Sequence, residues 1–301
     1  MIRFESVSKS YTALVSRKRV DALAEFTLEM ARGEVVGIAG PNGAGKSTMI
    51  SLLMGFLHPT SGRITIDGAA PRPWVEQHGV GYLTELVNLP PRWKVPTTVR
   101  RMATLSGVAA DTVATESAAM MTRLGLDEHA GKRIKQLSKG NLQRVGLGQA
   151  LIGDFELVVL DEPTHGLDPL WTQRFRDVVR ALRRPDRLVL IASHNLDELE
   201  MLADRVAILD HGRLQRVVGH STEERSEQLA WRLVLEGTVD VTEVLPTATP
   251  VAGRTGTWHC LASRRELSTA LATLLANGAV LVECVPEEGR LELAFREAVQ
   301  R

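Results

Sequence analysis

Gly40-Pro41-Asn42-Gly43-Ala44-Gly45-Lys46-Ser47-Thr48 sets three glycines ahead of a lysine and two hydroxyls. The spacing Gly-x4-Gly-Lys-Ser is that of a phosphate-binding P-loop. Glycine lets the backbone bend so that successive N–H groups converge, and a helix starting there adds its positive N-terminal end. Lys46 then brings a point charge to the β- and γ-phosphates. Ser47 offers an oxygen to Mg²⁺, and Thr48 offers a further donor to phosphate.

A second group lies in Val158–Glu162, within the run ELVVLDEPT. Asp161 closes an apolar stretch, where its carboxylate can join a Mg²⁺ shell, and Glu162 follows, where it can polarise an attacking water. Adjacent acids are usually a charged strand end. The apolar run before these two and PTHGLDP after them argue for chemistry instead. The glycine loop alone fits a kinase, a GTPase or a transport ATPase equally well.

The elements that must carry these residues are legible in the periodicity. Glu34–Gly40 is short and almost entirely apolar, as a buried strand is. KSTMISLLMGFL has helical spacing and is stopped by Pro59 and Gly62. Ile2–Val7 alternates and reads as an edge strand, followed by a basic loop at Ser16–Arg19 that reads as a solvated turn. Leu23–Met30, RITIDG and Gly79–Leu83 read as further strands. From Val95 to about Ile152 apolar residues recur at helical spacing (Val99, Met102 and Ala103, then Met120, Met121 and Leu124), which predicts a helical subdomain inserted between strands. Leu170–Leu182 has Phe175, Val178, Val179 and Leu182 on one helix face, and RLVLIASH and RVAILDHG are two more strands. Strands alternating with helices imply a parallel sheet covered by helices.

Near His220 the pattern restarts. Trp231–Leu235, Gly256–Leu261 and Ala279–Val285 read as strands, and LPTATPVAGRTG as a loop. Leu267, Leu271, Leu274 and Leu275 form one helical stripe, and Leu291, Phe295, Ala298 and Val299 another. The expected organisation is a domain over 1–220, with its helical part at about 95–152, and a small α+β accessory domain over 225–301.

Composition bounds the reading. The 301 residues carry 36 Lys+Arg and 36 Asp+Glu, so formal charge is zero and no nucleic-acid partner is expected. Two cysteines, Cys260 and Cys284, have no paired spacing, which fits a reducing compartment without disulfide or zinc. The N-terminus has no secretory pattern. The longest uncharged runs, Ser47–Gly62 and Leu267–Val282, fall short of the ~20 residues of a membrane helix. The chain reads as soluble, with any membrane role supplied by a partner. His58, His78, His129, His211, His220 and His259 lack ligand-like spacing and read as ordinary residues.

Over about residues 1–220 the sequence resembles the ATP-binding proteins of ABC transporters. Gly40–Thr48 resembles the family's Walker A. Leu137-Ser138-Lys139-Gly140-Asn141 resembles its signature, and Val158–Glu162 its Walker B with the catalytic glutamate. Gly166-Leu167-Asp168-Pro169 resembles the D-loop, and His194 the switch histidine. The resemblance implies a RecA-like P-loop NTPase core with an antiparallel edge subdomain. It implies that Tyr11 stacks on adenine, and that Lys46, Glu162 and His194 serve hydrolysis. It further implies that two such domains meet head to tail, with Ser138 and Gly140 reaching the γ-phosphate held by the partner.

Three positions depart from the family pattern. Glu85, in GYLTEL, stands where Gln is frequent; a carboxylate approaches Mg²⁺ but cannot donate. His165 replaces a small residue, and Asn141 the frequent Gln. GYLxE together with LSKG is similar to the bacterial exporter branch, and RLELAFREAV resembles the end of that branch's C-terminal extension. Trp93, in VNLPPRWKVP, borders the groove that in the family receives the membrane subunit; an exposed anchor and a ring tucked on its own subdomain are both open.

These readings converge on a Mg-ATP-hydrolysing subunit of an ABC exporter. It would act as a dimer with itself or a homologous ATPase, on the cytoplasmic face of the plasma membrane, held there by a separate transmembrane permease. The rivals are a soluble ABC-type clamp and an importer subunit.

Overall fold

The computed structural model describes residues 1–12, 19–219, 229–237, 239–251, 253–286 and 290–299. Ser16–Lys18 of the basic loop, His220, and the junction at 220–228 lie outside the described residues. The chain divides into two compact units, Met1–Val218 and Gly219–Gln300.

The first unit opens with β1 (Ile2–Thr12) and β2 (Arg19–Met30), both longer than their periodicity suggests, then β3 (Val35–Ala39), α1 (Lys46–Leu53) and β4 (Ser61–Ile66). Next come α2 (Pro71–His78), β5 (Gly81–Leu83), α3 (Val95–Leu105), α4 (Val113–Arg123), α5 (Lys139–Leu151) and β6 (Leu157–Asp161). It ends with α6 (Pro169–Leu182), β7 (Leu188–Ser193), α7 (Leu196–Leu202), β8 (Arg205–Asp210) and β9 (Arg213–Gly219). One sheet has the order β5-β6-β7-β3-β8-β9, and its β5-β6, β6-β7, β7-β3 and β3-β8 pairs are parallel. Every residue of β3, β6 and β7 is buried. This explains the unbroken apolar runs: helices cover both faces of a parallel sheet, so no residue gains from being polar. The second sheet, β2-β1-β4, is antiparallel. Its inner residues Ile2, Phe4, Val7, Leu23, Phe26 and Met30 share one core with Met49, Ile50 and Leu53 of α1.

Between β5 and β6 the chain makes α3, α4 and α5. Val99, Met102, Ala103, Met120, Met121 and Leu124 are buried there, as their spacing predicts. The face of α6 buries Phe175, Val178, Val179 and Leu182, joined by Trp171.

The second unit contains β10 (Leu229–Glu236), α8 (Val241–Val244), β11 (Thr249–Pro250), β12 (Thr257–Ala262), α9 (Arg264–Ala276), β13 (Val280–Pro286) and α10 (Arg290–Val299). Its sheet has the order β11-β12-β10-β13. The expected stripe of α9 needs correction. Leu267, Ala270 and Leu274 are buried, Leu271 packs at the margin and Leu275 faces solvent. The small Ala270, invisible to a search for leucines, sits where the helix meets its sheet. Ser263 caps α9 in a reciprocal box with Glu266. The loop at 245–256 contains the short strand β11.

Candidate functional site: a phosphate cleft and a separate signature segment

The buried strand β3 ends at Ala39 and α1 begins at Lys46, so the glycine loop is fixed at both ends. Gly43 and Gly45 have φ of 84° and 108°, where a side chain is strained. At Gly45 a Cβ would also come within 2.5 Å of the Ala22 carbonyl. The loop is closed by a bond from the Ala44 N–H to the Pro41 carbonyl at 3.1 Å. The Lys46 ammonium, buried, donates to the Gly40 carbonyl at 2.7 Å.

A cleft of about 410 Å³ opens above this loop, lined by Pro41–Thr48, Glu85, Asp161, Glu162 and by Val20–Ala22 of β2. It unites the Walker A and Walker B residues with Glu85. Tyr11 lies outside this lining. It is exposed, pairs across the sheet with Val20, and has the Lys9 ammonium 5.4 Å from its ring centre. The contribution of β2 is not visible in the sequence, because it depends on how β2 curls over the glycine loop.

Glu162 is buried and stands at φ 47°, an unusual backbone for glutamate. Its N–H donates to the Ala192 carbonyl at 2.8 Å, and its carbonyl accepts from the Gln143 amide at 3.1 Å. This aims the carboxylate between two basic groups. Oε1 is 3.6 Å from the Lys46 ammonium, and Oε2 is 2.8 Å from His194 Nδ1. With its proton on Nδ1, His194 donates to the carboxylate and holds its orientation. A water at this edge would meet a base already aligned, which is the geometry general-base catalysis needs.

Asp161 is buried beside Glu162, and its carboxyl is pushed up to about 7, first by burial and then by the charges of Glu85 and Glu162, against the pull of Lys46. Its Oδ1 is buried with no hydrogen-bond partner. An orphaned carboxylate oxygen in a cluster of acids and a hydroxyl fits a hard divalent cation, whose charge inverts that balance. Ser47, Asp161 and Glu85 are the residues that would hold Mg²⁺. Among the described residues no group of three or more His, Cys, Asp or Glu makes a full cage, so phosphate oxygens and water would complete the shell.

The signature segment lies elsewhere. Ser138 caps α5, accepting from the Asn141 N–H at 3.3 Å. Neither Ser138 nor Gly140 lines the cleft of Lys46. Gly140 lies against the D-loop: a Cβ there would sit 2.6 Å from the Gly166 carbonyl. Lys139 Nζ is 2.8 Å from His165 Nε2. An ammonium can only donate, so Nε2 accepts and His165 carries its proton on Nδ1. Asn141 is held from both sides, its Nδ2 2.7 Å from His129 Nε2 and its Oδ1 accepting from Arg144. Two departures from the family pattern thus share a role: they fasten the signature to neighbouring loops. Asp168 caps α6 through the Trp171 N–H at 2.9 Å.

Trp93 is half-buried with the Arg101 guanidinium 3.9 Å from its ring centre. It lines a second cleft of about 630 Å³ with Leu89, Pro90, Met102, Leu105 and Phe155. No helix among the described residues is long and apolar enough to cross a membrane. Cys260 is buried and Cys284 partly so, and neither forms a disulfide among the described residues.

The model of the ABC transporter family matches residues 23–165, and an AAA-domain model matches 133–200. An uncharacterized ABC transporter ATP-binding protein of Synechocystis is 33% identical over 77% of this chain and 66% of its own length. The chain thus spans just under two thirds of that relative. The methionine import ATP-binding protein MetN of Caulobacter vibrioides is 34% identical, covering 80% of this chain and 74% of its own. The lantibiotic transport ATP-binding protein SrtF of Streptococcus pyogenes is 31% identical, covering 76% and 95%. Among solved structures, the dimeric bacterial ABC transporter cassette MJ0796 superimposes with a TM-score of 0.67 at 23% identity, over 73% of this chain and 99% of that one. With motif order, fold and relatives in agreement, this chain belongs to the family of ABC transporter ATP-binding proteins.

Proposed function

We propose that the chain binds Mg-ATP in the cleft above Lys46 and hydrolyses it to drive an ABC exporter. The observation that carries this reading is the placement of Glu162, with Lys46 at 3.6 Å on one oxygen and His194 at 2.8 Å on the other. Lys46 and the loop N–H groups bind the phosphates, and Tyr11 offers a face to the base. Glu162 takes the proton of the attacking water while His194 keeps its carboxylate aimed. Ser47, Asp161 and Glu85 would hold Mg²⁺, which would supply positive charge against the phosphates.

The same reading makes the chain one half of a head-to-tail dimer, in which Ser138 and Gly140 of one copy close on the ATP of the other. ATP then biases a two-state equilibrium between open and closed pairs. A transmembrane permease holds the dimer at the cytoplasmic face, with the Trp93 cleft as its seat. The second unit is an accessory domain. Export is favoured by the motif GYLxE and by likeness to a Nod factor export ATP-binding protein of Bradyrhizobium. Import is the second reading, favoured by likeness to a methionine import protein.

Purified chain should release phosphate from ATP with Mg²⁺ and stop when EDTA is added, and a polytopic membrane protein should co-purify with it. Absence of hydrolysis by the assembled complex would remove the proposal. Uptake of substrate into inverted vesicles supports export, and uptake into right-side-out vesicles supports import.

A further inference from the structure

Glu198 takes no part in the chemistry described above, yet it is 1% exposed. It lies in the first turn of α7, the helix that follows His194, and its N–H donates to the capping Asn195 Oδ1 at 3.2 Å. Its Oε2 accepts from the Thr164 hydroxyl at 2.5 Å, across 34 residues of sequence. Its Oε1 is buried without a hydrogen-bond partner, and so is Nε of Arg176 on α6. Burying a carboxyl group with one oxygen unsatisfied costs stability, and a core position built for stability alone would be apolar.

Thr164 lies two residues beyond Glu162. Glu162 itself holds a left-handed backbone at φ 47°, a conformation that persists only where neighbouring structure enforces it. On its N-terminal side the enforcement is the 2.8 Å bond from its N–H to the Ala192 carbonyl. On its C-terminal side the Gln143 amide donates to the Glu162 and Pro163 carbonyls at 3.1 and 3.2 Å, and beyond Pro163 the loop is tied by the Thr164–Glu198 bond. Gln143 belongs to α5, whereas the Ala192 and Glu198 ties run to one segment, the end of β7 and the start of α7, which also carries His194. We infer that Glu198 is a positioning residue for hydrolysis: through Thr164 it locks the loop bearing Glu162 to the helix behind His194, so that base and switch histidine keep one spacing. The inference rests on the hydrolytic reading above.

The groups facing Glu198 are Thr164, Arg176 of α6, Glu162 and His194. Burial pushes its carboxyl up to about 7, against Thr164 and Arg176. The clamp works in either protonation state, since both keep an oxygen that accepts from Thr164.

The test uses the full chain with Thr164→Val, Thr164→Ser, Glu198→Met and the Val/Met double variant. Thr164→Val and Glu198→Met should lower kcat roughly 3- to 30-fold, the range for residues that act through others. Their affinity for Mg-ATP should stay within about twofold of wild type, because the phosphate cleft is untouched. Thr164→Ser keeps the donor and should restore wild-type turnover. The double variant should be no slower than the slower single one, as expected for two ends of one bond. Amide hydrogen exchange at 164–168 should rise about tenfold in Thr164→Val, reporting a loosened loop. Unchanged exchange at 164–168, unchanged turnover in Thr164→Val, or equal loss in Thr164→Ser would overturn the role of Glu198. If Glu198→Met does not fold, Thr164→Val decides. If wild type itself fails to hydrolyse ATP, the hydrolytic reading fails, and the exchange measurement still decides whether the clamp exists.

Discussion

The phosphate cleft and the signature segment carry the same kind of equipment, a helix N-terminus with a hydroxyl and glycines, and differ in what surrounds them. Around the cleft, Lys46, Asp161 and Glu162 are buried and converge from the start of α1 and the end of β6. Around the signature, Ser138 is exposed and bonded only to its own helix, while Lys139 and Asn141 are tied to His165 and His129. One region gathers groups on a common point. The other is braced from behind and presents an exposed edge. That difference is what the proposed head-to-tail arrangement requires: an edge stiff in itself that can serve a phosphate held by another copy.

The comparison can be broken at its strongest point first. Glu162→Gln should still bind Mg-ATP but turn it over ~10²–10⁴-fold more slowly, the usual share of a general base. Single-turnover phosphate release measures this, and near-normal rates would take Glu162 out of the mechanism. The roles of the two regions are then separable by mixing. Lys46→Ala and Ser138→Arg should each disable both sites of a homodimer. A mixed dimer carries both lesions at one site and none at the other, so mixing should regain part of the activity, up to about half for independent sites. No recovery in demonstrated mixed dimers would sink the trans arrangement.

The smallest effect concerns stability. The folded carboxyl of Glu198 titrates near 7 against an ordinary 4.5. A raised carboxyl pKa means that the native state binds the extra proton between these values, so stability falls as pH rises through that window. Glu198→Gln removes this dependence and should raise unfolding free energy at pH 8 by about 2 kcal/mol relative to pH 4.5, compared with wild type. Denaturant midpoints at the two pH values test it; parallel shifts in both proteins would contradict it.

Much of the cleft is legible in the sequence because its signals are local. Gly40–Thr48 and Val158–Glu162 each carry their full meaning within nine residues, and the apolar runs of β3, β6 and β7 follow from burial on both faces. What is missed depends on distance or on masking by neighbours. Helix α2 begins PRPW, whose prolines mask its helical spacing, although proline is well placed in a first helical turn. Helix α7 is only seven residues long and its apolar stripe is short. The lining of the cleft by Val20–Ala22 needs the curl of β2, and the bonds Lys139–His165 and Thr164–Glu198 span 26 and 34 residues. No pattern in one sequence pairs such partners.

The contact of Gly140 with the Gly166 carbonyl has a consequence for how this chain can vary. A methyl group at 140 would meet a backbone oxygen at 2.6 Å, and backbone, unlike the tip of a side chain, cannot step aside alone. The glycine is therefore demanded by the chain's own D-loop before any phosphate is considered. Variation at 140 is permitted only together with a shift of residues 165–167. The two loops vary as a single block, and a grafted signature without glycine at 140 should fail in this chain unless a matching D-loop is carried along.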